Sequence, residues 1–158
     1  MPVHVLGNMC NMERLIEIAE RFHLLVIEDA SESLGSYYNG KHSGGFGKMS
    51  VFSFNGNKII TSGGGGVIVT NDKDLAKRAK HLTTQAKANP STYYHDEIGF
   101  NYRLVNVLAA IGVAQMEQLS AFIERKKYID SYYRTHLQGV GDIKFQKVEK
   151  EVNPNCWL

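Results

Sequence analysis

Residues 49–70 read MSVFSFNGNKIITSGGGGVIVT and join two strand-like runs through one lysine and four successive glycines. The first run, residues 50–54, alternates aromatic and small side chains, and the second, residues 67–70, is β-branched throughout, so both have the composition of strands. Lys58 therefore lies on the connection between two strands. The glycines at 63–66 can adopt backbone angles, and allow close approaches, that other residues cannot, so the connection is also suited to wrapping a ligand.

Position alone favours an ordinary role for Lys58, because most lysines are solvated surface charges. The neighbouring aromatic run and the glycine loop favour a different interpretation, in which the amine is partly desolvated. A desolvated lysine amine is a nucleophile that can attack a carbonyl carbon. The sequence thus makes Lys58 a candidate catalytic residue.

Upstream, residues 24–30 read LLVIEDA and form a second candidate strand. Its apolar run is typical of a buried parallel strand that carries a carboxylate, Asp29, at its carboxyl end, where open α/β sheets bind ligands. Capping of the following segment is the ordinary alternative for Asp29. Pyridoxal phosphate (PLP) enzymes need a lysine for the cofactor aldehyde and a carboxylate for the pyridine nitrogen, so the pair Lys58 and Asp29 indicates that cofactor.

Three long motifs carry a family resemblance: IEDASESLGSYYNGKHSGGFG at 27–47, FSFNGNKIITSGGGGVIVTND at 52–72 and HDEIGFNYRLVNVLAAIGVAQMEQL at 95–119. In this order they resemble the nucleotide-sugar aminotransferases of the DegT/DnrJ/StrS type, which are fold-type I PLP enzymes. The segments GNKIITSGGGG and HLTTQAK most resemble those of enzymes that aminate UDP-linked 4-keto-6-deoxy N-acetyl sugars for bacterial surface glycans.

The resemblance implies a role for five residues. Lys58 would bond to PLP and transfer protons, while Asp29 would hold the pyridine nitrogen. Ser53 would bind the cofactor phosphate, and Glu32 would lie beside the ring near its phenolic oxygen. Asn101 would reach across a homodimer interface toward the cofactor phosphate of the other subunit, which places the active site at that interface.

The expected fold class is α/β, as part of the large PLP-binding domain of a fold-type I aminotransferase, with a mixed sheet and flanking helices. Residues 1–138 are expected to form a partial large domain, and residues 139–158 the beginning of an incomplete small C-terminal domain. Local patterns predict a hairpin at Asn39-Gly40, a short strand at 143–145 and a mobile loop at 85–94. Helices are predicted to begin after Asn11 and Asp72, to follow Arg103, and to continue from Leu119.

Composition narrows the function classes. The chain has 158 residues, is 43% hydrophobic and carries a formal net charge of +2 with scattered basic residues, which gives no support for nucleic-acid binding. No apolar run approaches the roughly 20 residues of a membrane span, and the N-terminus does not resemble a signal peptide. Cys10 and Cys156 lack metal-ligand spacing, so we expect reduced thiols, no metal site and a cytoplasmic protein.

The sequence therefore predicts PLP-dependent transfer of an amino group from glutamate to a nucleotide-linked keto sugar. One alternative is a catalytically inactive, truncated remnant that acts as a dimerising module, since complete relatives have an upstream phosphate-binding segment, a ring-stacking aromatic residue and a full C-terminal domain. A second is a related sugar dehydratase, but those enzymes replace the lysine found here at Lys58. A third is a nucleotide-binding module, although neither GxGxxG nor P-loop spacing fits the glycines.

Overall fold

Short strands and longer helices make up the computed structural model, which describes residues 1–89 and 91–158. The helices are α1 (Met12–Arg21), α2 (Lys73–Thr83), α3 (Asn106–Met116) and α4 (Leu119–Leu137). The strands are β1 (Ile27–Asp29), β2 (Tyr37–Tyr38), β3 (Lys41–His42), β4 (Met49–Ser53), β5 (Gly66–Val69) and β6 (Val152–Asn153).

The first sheet has the order β1-β4-β5 and is mixed. Strand β1 runs parallel to β4 with Asp29 opposite Val51, and β5 runs antiparallel to β4 with Gly66 opposite Ser53. Because β1 and β4 are parallel, their carboxyl ends lie at the same edge of the sheet. The predicted α/β class with a mixed sheet is confirmed, and so are the two strands on either side of Lys58.

The predicted burial of residues 24–27 is wrong. Leu24 and Leu25 are 59% and 80% exposed, and the strand is shorter than predicted, beginning only at Ile27. Register sets the start of the strand: Ile27 pairs with Met49, the first residue of β4, so the preceding residues extend beyond the start of their partner strand. Ile27 is 44% exposed although it is paired, so no element covers this side of the strand within the described residues.

A second sheet has the order β3-β2-β6. Asn39 and Gly40 have φ values of 46° and 77° between β2 and β3, as a tight two-residue hairpin requires, so this prediction is confirmed. The predicted strand at 143–145 is wrong, because those residues are irregular. The C-terminal strand is instead β6, which pairs with the free edge of β2, whereas the domain boundary at 138/139 stays a prediction.

Two hydrophobic clusters form the core, one packed against α1 and the other against the start of α4. One joins Met9 and Met12 to Tyr38 and Val152, and it ties the start of the chain to the C-terminal strand. The other lies beneath the ends of β1 and β4, and its buried members are Ala30, Leu34, Phe52 and Ile60. The second cluster therefore supports the connection that carries Lys58.

Helices α1 and α2 begin where predicted, directly after Asn11 and Asp72. The Asn11 side chain accepts a hydrogen bond from Arg14 N–H at 2.9 Å, and Asp72 accepts from the N–H groups of Asp74 and Leu75. The hydrogen bond from Lys48 and those two N–H groups lower the pKa of Asp72 to about 2. Both helix starts are thus fixed by side chains that satisfy otherwise unpaired N–H groups.

Helices α3 and α4 confirm the predicted helical patterns, but neither contains a buried residue. Within the described residues, no single helix is long and apolar enough to cross a membrane. The α3–α4 pair, bent by 60°, meets that test of length and composition only when its two helices are taken together.

The segment predicted to be a mobile loop, residues 85–94, includes Pro90, which lies outside the described residues. Its first part is well bonded: Gln85 N–H donates to Phe100 O at 3.0 Å, and Ala86 N–H donates to His81 O at 2.8 Å. The Ala86 side chain is fully buried. These contacts place residues 100–103 beside the end of α2.

Candidate active site

Lys58 follows β4 in a tight turn that its own N–H closes by donating to Asn55 O at 3.0 Å. Its side chain is only 13% exposed. A lysine on a surface turn is normally solvated, so this burial is the first structural sign of a specialised role. The sequence-based expectation of a partly desolvated amine is confirmed.

Two side chains contact the Lys58 ammonium. Glu32 Oε1 lies 3.6 Å from Nζ, and the centre of the Trp157 ring lies 4.5 Å from it. Trp157 is 3% exposed, and its indole N–H donates to the carbonyl of Asn57. The amine is therefore held between a carboxylate and an aromatic ring.

Glu32 is fixed by a second contact. Its other oxygen, Oε2, accepts a hydrogen bond from the N–H of Leu6 at 2.7 Å. Leu6 has a φ of 55°, a left-handed conformation that is uncommon for leucine and that lies within the 3₁₀ turn Val5–Gly7. The first turn of the chain thus anchors the carboxylate that faces Lys58.

Asp29 and Ser53 stand at the carboxyl ends of β1 and β4. The Asp29 carboxylate accepts from Ser31 N–H at 3.1 Å through Oδ1, and Ser53 Oγ accepts from Asn55 N–H at 3.3 Å. Both side chains are half-buried. Because the two strands are adjacent and parallel, the structure brings both residues to the sheet edge from which the Lys58 turn departs.

Asn101 lies on a different segment of the chain. It is exposed and pairs with Thr84 in an isolated antiparallel bridge, and it lines a cleft of about 390 Å³ together with the glycine loop 63–66. Across residues 1–89 and 91–158, no hydrogen bond or ion pair joins Asn101 to Lys58, Asp29, Glu32 or Ser53. The role of Asn101 therefore stays a prediction.

Backbone geometry explains why glycine occupies several positions of the loop 63–66. Gly63 and Gly65 have φ values of 85° and 80°, and a Cβ at Gly66 would lie 2.4 Å from Phe52 O. The loop is further held by Thr61, whose hydroxyl donates to Phe54 O at 3.0 Å and accepts from Gly63 N–H at 2.8 Å. These glycines allow β5 to begin directly against β4.

Glu28, which the motif analysis did not single out, is fully buried directly before Asp29. It accepts hydrogen bonds from the N–H groups of Gly44, Phe46 and Gly47 and from His4 Nε2 at 3.1 Å. Burial raises the pKa of Glu28, but these hydrogen bonds outweigh burial and lower it overall. An acidic residue inside an apolar run, followed by a glycine-rich loop, was the sequence signal for this anchor.

One group of side chains has the chemistry of metal ligands. His81 Nε2 lies 2.7 Å from Asp96 and 3.3 Å from Glu97. Arg78 forms a bidentate ion pair with Glu97, and this hydrogen bonding raises the pKa of Arg78. Because the guanidinium already supplies positive charge to Glu97, we interpret the group as an ion-pair network.

The donor set at the sheet edge fits PLP. Lys58 offers a sequestered amine for an aldehyde, Asp29 a carboxylate for a ring nitrogen, and Ser53 a hydroxyl for a phosphate oxygen. Glu32 adds a carboxylate whose position is fixed by Leu6. Their combination on one edge of a mixed sheet is that of a PLP-binding domain.

Comparison with solved structures places the fold among the sugar aminotransferases. The sugar aminotransferase CalS13 of Micromonospora echinospora superposes with a TM-score of 0.87 and 26% identity, over 98% of this chain and 45% of CalS13. DesV of S. venezuelae, in complex with a ketimine intermediate, superposes with a TM-score of 0.91 and 29% identity, over 98% of this chain and 42% of DesV. A sequence model of the DegT/DnrJ/EryC1/StrS aminotransferase family matches residues 1–158. The chain belongs to this family.

Two curated relatives show the range of named substrates. GDP-perosamine synthase of Escherichia coli O157:H7 is 46% identical over 158 residues, which is 100% of this chain and 43% of the relative. The UDP-4-amino-4,6-dideoxy-N-acetyl-beta-L-altrosamine transaminase of Campylobacter jejuni is 36% identical over 129 residues, covering 80% and 34% of the two chains. The chain thus spans less than half the length of these relatives, which use different nucleotide carriers by name.

Proposed function

We propose that this chain forms part of a PLP-dependent enzyme that transfers an amino group to a nucleotide-linked keto sugar. The observation that carries the proposal is the sequestered Lys58 amine beside the carboxyl ends of β1 and β4, in a chain that matches an aminotransferase family along its whole length. When bound, PLP supplies an aldehyde carbon for the amine and a ring that accepts electrons.

Each residue of the site has a distinct task. Lys58 would hold the cofactor through its amine and would carry the proton that moves during transamination. Asp29 would accept a hydrogen bond from the ring nitrogen and so favour its protonated form. Ser53 would donate its hydroxyl to a phosphate oxygen, and Glu32 would place its carboxylate next to Lys58.

The proposed amino donor is glutamate and the proposed acceptor a keto sugar of bacterial surface-glycan biosynthesis. The names of the relatives support a nucleotide sugar, and they include both GDP-linked and UDP-linked compounds. We further propose a cytoplasmic homodimer with the site at its interface. In that arrangement Asn101, which is exposed in its own chain, would reach the cofactor phosphate in the second copy.

The test of cofactor binding is an absorbance spectrum with added PLP, followed by borohydride reduction and peptide mapping. We expect one reduced adduct, at Lys58, that is absent in Lys58→Met. The matched control is Lys77→Met, because the Lys77 side chain is 79% exposed and lies on the outer face of α2. An adduct distributed over surface lysines, or tight binding of ATP or NAD without any adduct, contradicts the proposal.

The test of the reaction measures 2-oxoglutarate released from glutamate in the presence of GDP-linked or UDP-linked 4-keto sugars. Turnover with one carrier identifies the substrate class. A reduced adduct at Lys58 without turnover on either carrier supports the alternative of an inactive dimerising module.

A further inference from the structure

We propose that Trp157 is a positioning residue for Lys58, through which the C-terminal segment 155–157 sets the exposure and position of the amine. This proposal rests on the proposed function, because only a lysine that binds the cofactor needs to be positioned. The contact itself is a property of the chain without any cofactor, so it can be tested separately.

The indole ring covers the charged end of Lys58. Nζ lies 4.5 Å from the ring centre, within the range of a cation–π interaction, for which tryptophan is the most favourable side chain. Trp157 is 3% exposed and the Lys58 side chain 13% exposed, so the ring also excludes water from one side of the amine.

Trp157 holds the backbone of the Lys58 turn as well. Its indole N–H donates to the carbonyl of Asn57, the residue immediately before Lys58. One side chain therefore restrains both the peptide that leads into Lys58 and the ammonium at its tip. A residue that only filled a cavity would need neither contact.

The segment that carries Trp157 is itself locked in place. Asn155 is fully buried and donates to Glu32 O at 2.9 Å and to Leu34 O at 3.0 Å, while its Oδ1 accepts from Trp157 N–H at 3.1 Å. Lys126 of α4 donates to Trp157 O at 3.0 Å. Asn155 thus links the backbone of Glu32, the second residue that contacts Lys58, to the tryptophan.

The discriminating experiment measures the acetylation rate of Lys58 by trace labelling of the cofactor-free chain, with Lys77 as internal standard. Trp157→Leu removes the ring face and the N–H, and we expect Lys58 to be labelled at least about threefold faster. Trp157→Phe keeps a ring face, so we expect an intermediate rate. Val152→Ala is the matched control, because Val152 is buried in β6, just before that segment, but packs against Met9, Met12 and Tyr38.

An unchanged Lys58 rate in Trp157→Leu overturns the proposal. An equal increase in Val152→Ala also overturns it, since general loosening of the segment would then be the cause. Equal Lys58 acetylation rates in Trp157→Phe and Trp157→Leu would show that the ring face does not protect the amine, and this result would also overturn the proposal.

A second readout uses the fact that Trp157 is the only tryptophan in the sequence. PLP attached to Lys58 lies next to this indole, so we expect strong quenching of the emission on cofactor addition, and no quenching in Lys58→Met. Absence of an adduct at Lys58 in the wild type refutes the proposed function but leaves the labelling result intact. An adduct at Lys58 without quenching shows that the ring is not at the amine and refutes the positioning role.

Discussion

The site region and the surface of α3 differ in the environment of their side chains: polar groups are buried and hydrogen-bonded in the first, and apolar groups are exposed in the second. The site region contains buried polar side chains beside its apolar cluster: Glu28, Ser33, Ser36, Ser43, Ser50, Ser62 and Asn155. In the part of the chain that the structure describes, no buried side-chain polar atom lacks a partner. Helix α3 is apolar, yet Val107 and Val113 are 71% and 61% exposed.

The difference shows in which region the buried groups already have all their partners within this chain. Hydrogen bonds require defined distances and angles, so a buried polar network is stable only when every partner is already present. Apolar burial is non-directional and depends mainly on area removed from water. Substitutions should therefore be costly near β1 and nearly neutral on α3, and the predictions below test that contrast in order of decreasing effect.

The largest loss is expected for Glu28→Gln. The amide keeps the shape but turns an N–H₂ group toward backbone N–H donors, leaving buried groups unpaired at a cost of about 3 kcal/mol. Urea unfolding measures the effect, with Glu17→Gln as control, because the Glu17 side chain is 63% exposed. A loss no larger than that of the control would mean that the buried network contributes little.

The Glu28 contribution should also depend on pH. Its pKa in the folded chain is lowered from the ordinary value of 4.5, so the unfolded state binds the proton more tightly. The stabilisation is fully present above pH 4.5 and is lost as the pH falls through the folded pKa. We expect the difference in unfolding free energy between wild type and Glu28→Gln to shrink on acidification below 4.5, and a constant difference would contradict the lowered pKa.

Asn155→Ala should cost about 2 kcal/mol, because it leaves the buried carbonyls of Glu32 and Leu34 without their donor. Thermal unfolding measures it. The control is Asn153→Ala, because within the described residues the Asn153 side chain makes only one hydrogen bond, an exposed one from Lys127. Equal losses in both variants would show that the C-terminal segment is not locked in solution.

Asn11→Ala should cost about 1 kcal/mol, the usual effect of removing an N-cap. The side chain accepts from Arg14 N–H at 2.9 Å and lies outside the buried network. Replacement by serine, which can also cap, should restore most of the stability. Failure of serine to rescue would assign the loss to the contact between Asn11 and Tyr38 instead.

The smallest effect is expected for Val113→Ser on α3. The side chain is 61% exposed, so the change should alter the unfolding free energy by less than about 0.5 kcal/mol. Unfolding is measured at two protein concentrations. A larger loss that grows with concentration would show that a second copy covers α3 in solution, and the contrast with the site region would then need revision.

Sequence by itself determined the local features of this protein. The caps at Asn11 and Asp72, the Asn39-Gly40 hairpin and the strands flanking Lys58 all depend on residues close together in the chain, whose conformational preferences are intrinsic. The apolar run 24–27 shows the limit of local patterns, because the length of its strand depends on where β4 begins. The motifs also selected Lys58, Asp29, Glu32 and Ser53, four residues that the fold brings to one region.

Only the tertiary structure decided what touches Lys58. The indole of Trp157 bonds to Asn57 across 100 residues of chain, and Glu32 takes its second contact from Leu6, 26 residues earlier. The final residues form β6 against β2, although the sequence pattern placed a strand at 143–145. No local preference encodes such contacts, because they arise when distant segments are packed together and their buried polar groups must find partners.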